Sequence, residues 1–145
     1  MILLPPELRF ALRANAINAQ VAEAKGERLD PVPVIKLFNP LGAATWLATE
    51  LYEDGDTLFG LADLGFGCPE LGVFSLSEIA SVRLPFGLGI ERDIGFEGRF
   101  KLSVWAAWSR RAGSIIHAQS LLRRVAPGTD PSDEIGPPPD ASGNG

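Results

Sequence analysis

Of 145 residues, one is cysteine and one is histidine, Cys68 and His117. A lone cysteine excludes an intramolecular disulfide framework and fits a reducing compartment, the cytoplasm. One cysteine and one histidine are too few for a classical zinc site, so no metal and no cofactor is expected. Long apolar runs are missing as well. None approaches the roughly 20 residues of a membrane span, so no membrane association is expected. The opening, MILLPPELRF, lacks the basic start of a secretory signal and reaches Pro5 and Pro6 at once. Charge of one sign is missing from two long stretches: no base lies between Leu37 and Val82, and no acid between Gly98 and Val125.

What is present describes one globular domain, with 46% hydrophobic and 21% charged residues. A chain of this length buries roughly two-thirds of its unfolded surface and folds without a covalent staple. Residues 126–145, APGTDPSDEIGPPPDASGNG, carry four acids, five prolines and four glycines, with no Lys or Arg. That composition predicts a disordered acidic tail behind a domain over 1–125. The tail accounts for −4 of the net −5, so the domain is close to neutral. Its acidic middle and basic end attract each other within the fold in the plainest reading.

Pro5 and Pro6 suit the first turn of a helix, and Gly26 ends it. Phe10, Ala14, Ile17 and Val21 recur at helical spacing and predict the buried face of that helix. Strands are predicted at Val34–Phe38, Ala44–Leu51 and Thr57–Leu64. Asp54-Gly55 between the last two reads as a two-residue hairpin turn, which sets Glu50 opposite Phe59 and Trp46 opposite Asp63. Both faces of that hairpin are largely apolar, which places it in the centre of the sheet. Further strands are expected at Leu71–Leu76 and Ile90–Phe96, with a short helix capped by Ser75 or Ser77 between them. Leu102, Trp105, Trp108, Ala112, Ile115 and Leu122 follow helical spacing, and Gly113 splits that stretch into two helices. The expected fold is α+β: a small, mainly antiparallel sheet with N-terminal and C-terminal helices packed on it.

Motifs that carry chemistry are sparse. The glycines of 60–72 lack both the dinucleotide spacing and the Lys-Ser/Thr of a phosphate loop, so they read as turns. Ser75 and Ser77 lack a nucleophile-elbow context. Alternation along Ile90–Phe96 turns Arg92 toward an apolar side, where a guanidinium needs an acidic partner. A cluster of Trp46, Glu50, Asp63, Glu70, Arg92 and Asp93 is therefore the candidate binding or ion-pair site, with a structural ion pair as its plainest meaning. Lys101, Arg110, Arg111, Arg123 and Arg124 form a candidate nucleic-acid contact, where Trp105 and Trp108 would stack bases if they were not core anchors.

The segments Lys36-LFNP, Thr45-Trp46-LATE, FGLADLGFGCPELGVFSLSEI (59–79) and GLGIERD (87–93) resemble the DUF2958 family, over about Leu3 to Ala112. The resemblance implies a small bacterial protein of unknown function, often encoded on plasmids or integrated elements near antirestriction or conjugation genes. It brings no catalytic residue. Where many members place a histidine after Glu-Arg-Asp and one apolar residue, this chain has Gly95, and a tyrosine often found after the PELG motif is Val73 here. The expectation is a non-enzymatic cytoplasmic accessory of a mobile element that touches a protein partner. The alternatives are a small enzyme or ligand-binding protein with a carboxylate–arginine site, and a nucleic-acid binder through 99–124.

Overall fold

The computed structural model describes residues 1–125; the expected tail, 126–145, lies outside the described residues. The element order is α1 (Pro6–Ala24), β1 (Ile35–Phe38), β2 (Thr45–Leu51), β3 (Thr57–Asp63), β4 (Glu70–Ser75), α2 (Leu76–Ala80), β5 (Glu91–Arg92), α3 (Leu102–Ala112) and α4 (Ile115–Leu122). All strand pairs are antiparallel, in the order β4-β3-β2-β1-β5. The fold is α+β, with the sheet between two helical layers. On one face Trp46, Ala48, Leu51 and Leu58 pack with Leu12 of α1 and Ile79 of α2. On the other, Leu47 and Leu61 pack with Trp105, Trp108, Ile115 and Leu122 of α3 and α4. The β2–β3 hairpin is therefore covered on both sides, as its apolar faces predict.

Its register is half as expected. Leu51 pairs with Leu58 and Glu50 with Phe59, but Ala48 then pairs with Gly60 and Thr45, not Trp46, with Asp63. A β-bulge at Thr49 inserts one residue and turns every earlier side chain of β2 to the other face. Gly60 is what permits it: a Cβ there would lie 1.8 Å from the Leu47 carbonyl oxygen. The turn is also wider than two residues. Tyr52 N–H donates to Thr57 O, so the loop is Glu53–Asp56, and Asp54 accepts from the backbone N–H groups of Asp56 and Thr57. The Thr57 hydroxyl, with those backbone bonds, holds the Asp54 carboxyl below its ordinary range.

Helix α1 buries a different face from the one its apolar spacing marks. Leu12, Ala16 and Ala22 are buried, while Phe10, Ile17 and Val21 are exposed. Two residues round a helix is a turn of about 200°, so the Leu12 face is nearly opposite the Phe10 face. The cause is the bulge. Strand β1 pairs with β2 only as far as Ala48, where Val34 N–H donates to Ala48 O. Beyond it, the Thr49 and Leu51 carbonyls point out of the sheet without a strand partner. Asn15 Nδ2 donates to Thr49 O at 2.9 Å and Arg13 Nη1 to Leu51 O at 2.8 Å. The helix takes the place of a strand along this edge, and its polar side chains supply the missing donors.

The expected strand Ile90–Phe96 shrinks to Glu91–Arg92. Asp93 Oδ1 accepts from Gly95 N–H, and Phe96 N–H donates to Asp93 O, which turns the chain out of the sheet. Ile94 is left exposed, whereas Phe96 packs against the α3–α4 core. Ser75 caps α2 by accepting from Glu78 N–H, and Gly113 separates α3 from α4, both as predicted.

Candidate functional site

A cleft of about 210 Å³ opens where the 93–100 loop meets α4. Strand β1 supplies Lys36, a lone charge among Ile35, Leu37 and Phe38. Its ammonium donates to Gln119 Oε1 at 2.7 Å and lies 3.6 Å from Asp93 Oδ2. Burial lowers the Lys36 pKa; Asp93 opposes that shift and Arg123 adds to it. Asp93, Gln119 and Arg123 line the cleft, together with Glu97, Arg99 and the half-buried Phe96. The floor is fixed. Gly98 could carry no side chain, because a Cβ would meet Val32 Cγ1 at 2.3 Å and Pro33 O at 2.4 Å. The Trp105 indole N–H donates to Gly98 O at 2.8 Å, and Arg99 donates to Val125 O at 2.5 Å. Arg99 sits at φ +67°, a left-handed conformation that a side-chain-bearing residue adopts only at the expense of strain. Two guanidiniums face two carboxylates in the lining, so the cleft is balanced in charge, and the Lys36 ammonium behind it is already met by Asp93 and Gln119.

A family model, "Protein of unknown function (DUF2958)", matches residues 3–116. The chain belongs to the DUF2958 family. No curated protein and no solved structure matches it. In this DUF2958 chain Gly95, where the resemblance expects histidine, lines the cleft, and the Glu91-Arg92-Asp93 triplet leads into it.

The carboxylate–arginine cluster expected from the sequence is not assembled. Trp46 is buried against the α1–α2 layer. Asp63 is fully buried and accepts from Gly65 N–H and Ile115 N–H, both at 2.9 Å, so it holds the first turn of α4. Glu70 begins β4 on the far edge of the sheet, exposed beside Cys68 and Arg110. Four strand spacings, about 19 Å, separate that edge from β5. Arg92 on β5 reaches no acid among the described residues. Its Nη1 lies 3.4 Å from the carbonyls of both Ile2 and Leu3, fastening the chain start. Glu50 is half-buried in a separate groove with Glu23, Tyr52 and Phe59, and burial pushes its carboxyl up. Of the six residues, only Asp93 lies in the cleft. The reason is the bulge and the early end of β5, which break the alternation that grouped them.

The basic candidates divide likewise. Arg110 and Arg111 end α3, whereas Lys101 precedes it and Arg123 and Arg124 follow α4. Nine residues of helix put about 14 Å between Lys101 and Arg110. Trp105 and Trp108 are buried and offer no stacking face. Lys36, Gln119, Glu97 and Arg99 were not singled out by the sequence, although a lysine inside an apolar strand was a usable signal. Among the described residues, no three His, Cys, Asp or Glu side chains converge on a metal-sized site, and no helix is long and apolar enough to cross a membrane.

Phe86 sits in the 3₁₀ turn Pro85–Gly87 at φ +64°, with 91% of its surface exposed. Leu84 N–H to Leu88 O and Leu88 N–H to Pro85 O close the loop beneath it.

Proposed function

We propose that this protein acts by contact with a protein partner, as a non-enzymatic accessory of a bacterial mobile element working in the cytoplasm. Phe86 carries the contact reading. An aromatic held in water on a left-handed backbone loses about 1–2 kcal/mol to strain and gains almost nothing from the fold. Aromatic side chains, phenylalanine among them, are enriched where proteins meet. The mobile-element setting rests on the family resemblance. Phe86→Gly relieves the strain and removes the anchor, so stability and binding should move in opposite directions. Tagged wild type and Phe86→Gly, recovered from a plasmid-bearing host, are compared by quantitative mass spectrometry and thermal melting. A partner lost from a variant that melts no lower than wild type supports the reading. An unchanged set of bound proteins overturns it.

A further inference from the structure

The exposed face of α1 has an order that a solvated surface does not need. Phe10, Ala14, Ile17 and Val21 are spaced four, three and four residues apart, the d-a-d-a pattern of a coiled-coil seam. Phe10 is 75% exposed, Ile17 49% and Val21 51%. The helix cannot turn this face inward, because Arg13 and Asn15 are tied to the Leu51 and Thr49 carbonyls on the other side.

We infer that this seam pairs with α1 of a second copy of the chain, antiparallel, about a two-fold axis between Ala14 and Ile17. This inference stands on a different surface from Phe86 and does not depend on it. Self-complementarity argues for the second copy over another partner. A two-fold axis there sets bulky Phe10 on Val21 of the second copy, and small Ala14 on its larger Ile17. It brings Glu7, in the first turn, opposite Ala24 and Lys25 at the other helix's end, acid to base. Arg13, beside the seam, is held away from it by the Leu51 carbonyl, so no like charges meet there. Antiparallel helices also set opposite ends of their dipoles side by side. The seam runs about 16 Å from Phe10 to Val21, three turns of helix. An interface that short belongs at the small end of specific contacts, so the dimer should be reversible and dependent on concentration.

Sedimentation velocity over a micromolar concentration series tests for the dimer. Wild type should shift from monomer to dimer. Ile17→Glu should weaken association on the order of 100-fold, with unchanged circular dichroism because the site is exposed. Lys25→Glu should weaken it about 2- to 5-fold, and the charge swap Glu7→Lys with Lys25→Glu should restore it. Orientation is read in a Cys68→Ser background. Phe10→Cys and Val21→Cys chains, mixed and treated with a mild oxidant, should cross-link to each other, whereas Phe10→Cys alone should not. Monomer at every concentration, with Ile17→Glu indistinguishable, would overturn the inference. So would ready cross-linking of Phe10→Cys to itself, which requires parallel helices.

Discussion

Asp63 is fully buried, yet no arginine or lysine accompanies it; two backbone N–H groups do. The carboxylate meets the positive end of α4 and satisfies a donor that the helix leaves over. Asp63→Ala strands the Ile115 N–H in the interior and releases that of the exposed Gly65, and should lower stability by about 1–3 kcal/mol, with early loss of amide protection at Ile115. Arg92→Ala is the contrasting case. A buried ion pair would make that substitution cost about 3–5 kcal/mol, but the side chain holds only two carbonyls at 3.4 Å. The loss expected in a denaturant melt is about 1 kcal/mol or less. Glu50 adds a pH dependence. Because burial raises its carboxyl pKa, the folded chain keeps that proton to higher pH than the unfolded chain. Stability from this group is therefore highest in acid and falls as pH rises through the interval between the two values. Glu50→Gln should stabilise the protein at pH 7, and the gain should vanish below the unfolded carboxylate range, about 4.3. Hydrogen bonds lower the pKa of Asp54 and Asp56, whose contributions run the other way and fade on acidification. The comparison with wild type at each pH isolates Glu50.

Among the elements, the bulge in β2 decides most. It needs Gly60, whose missing side chain lets the Leu47 carbonyl approach. Gly60→Ala should destabilise by at least about 3 kcal/mol, since backbone must move on both strands. Calorimetry would register it, and a midpoint near wild type would mean that the strands part more easily than their geometry implies. Apart from β5, the strand boundaries were largely legible in the sequence. Val34–Phe38 against Ile35–Phe38, and Thr57–Leu64 against Thr57–Asp63, differ by one residue at one end. Those limits come from local chemistry: apolar runs, proline, glycine and capping serines. The bulge was not legible. A glycine in a strand permits one, but the extra residue lies on the other strand, and only their pairing shows where it falls.

For the molecule as a whole, the halves of the chain are joined at the linker before β1. Asp30 accepts from Ser103 N–H at 3.0 Å and from the Ser103 hydroxyl, so residue 30 caps a helix that begins at 102. Leu102 N–H donates to Pro31 O nearby, and Gly98 lies against Val32 and Pro33. Asp30→Ala should cost about 1 kcal/mol, as the loss of a cap does. Hydrogen exchange should rise in the first turn of α3 and in the 98–100 loop, loosening the cleft floor while α1 stays protected. By itself the sequence determined the α+β class, the central hairpin, the paired C-terminal helices and the DUF2958 resemblance, because each is written in local periodicity or in continuous motifs. It also marked the apolar stripe of α1. Only the tertiary structure decided that the stripe faces outward, because the competing Leu12 face wins when Arg13 and Asn15 meet carbonyls that a bulge has freed. The cleft is of the same kind. Lys36, Asp93 and Gln119 come from three distant segments, and nothing short of folding brings an ammonium, a carboxylate and an amide to one point.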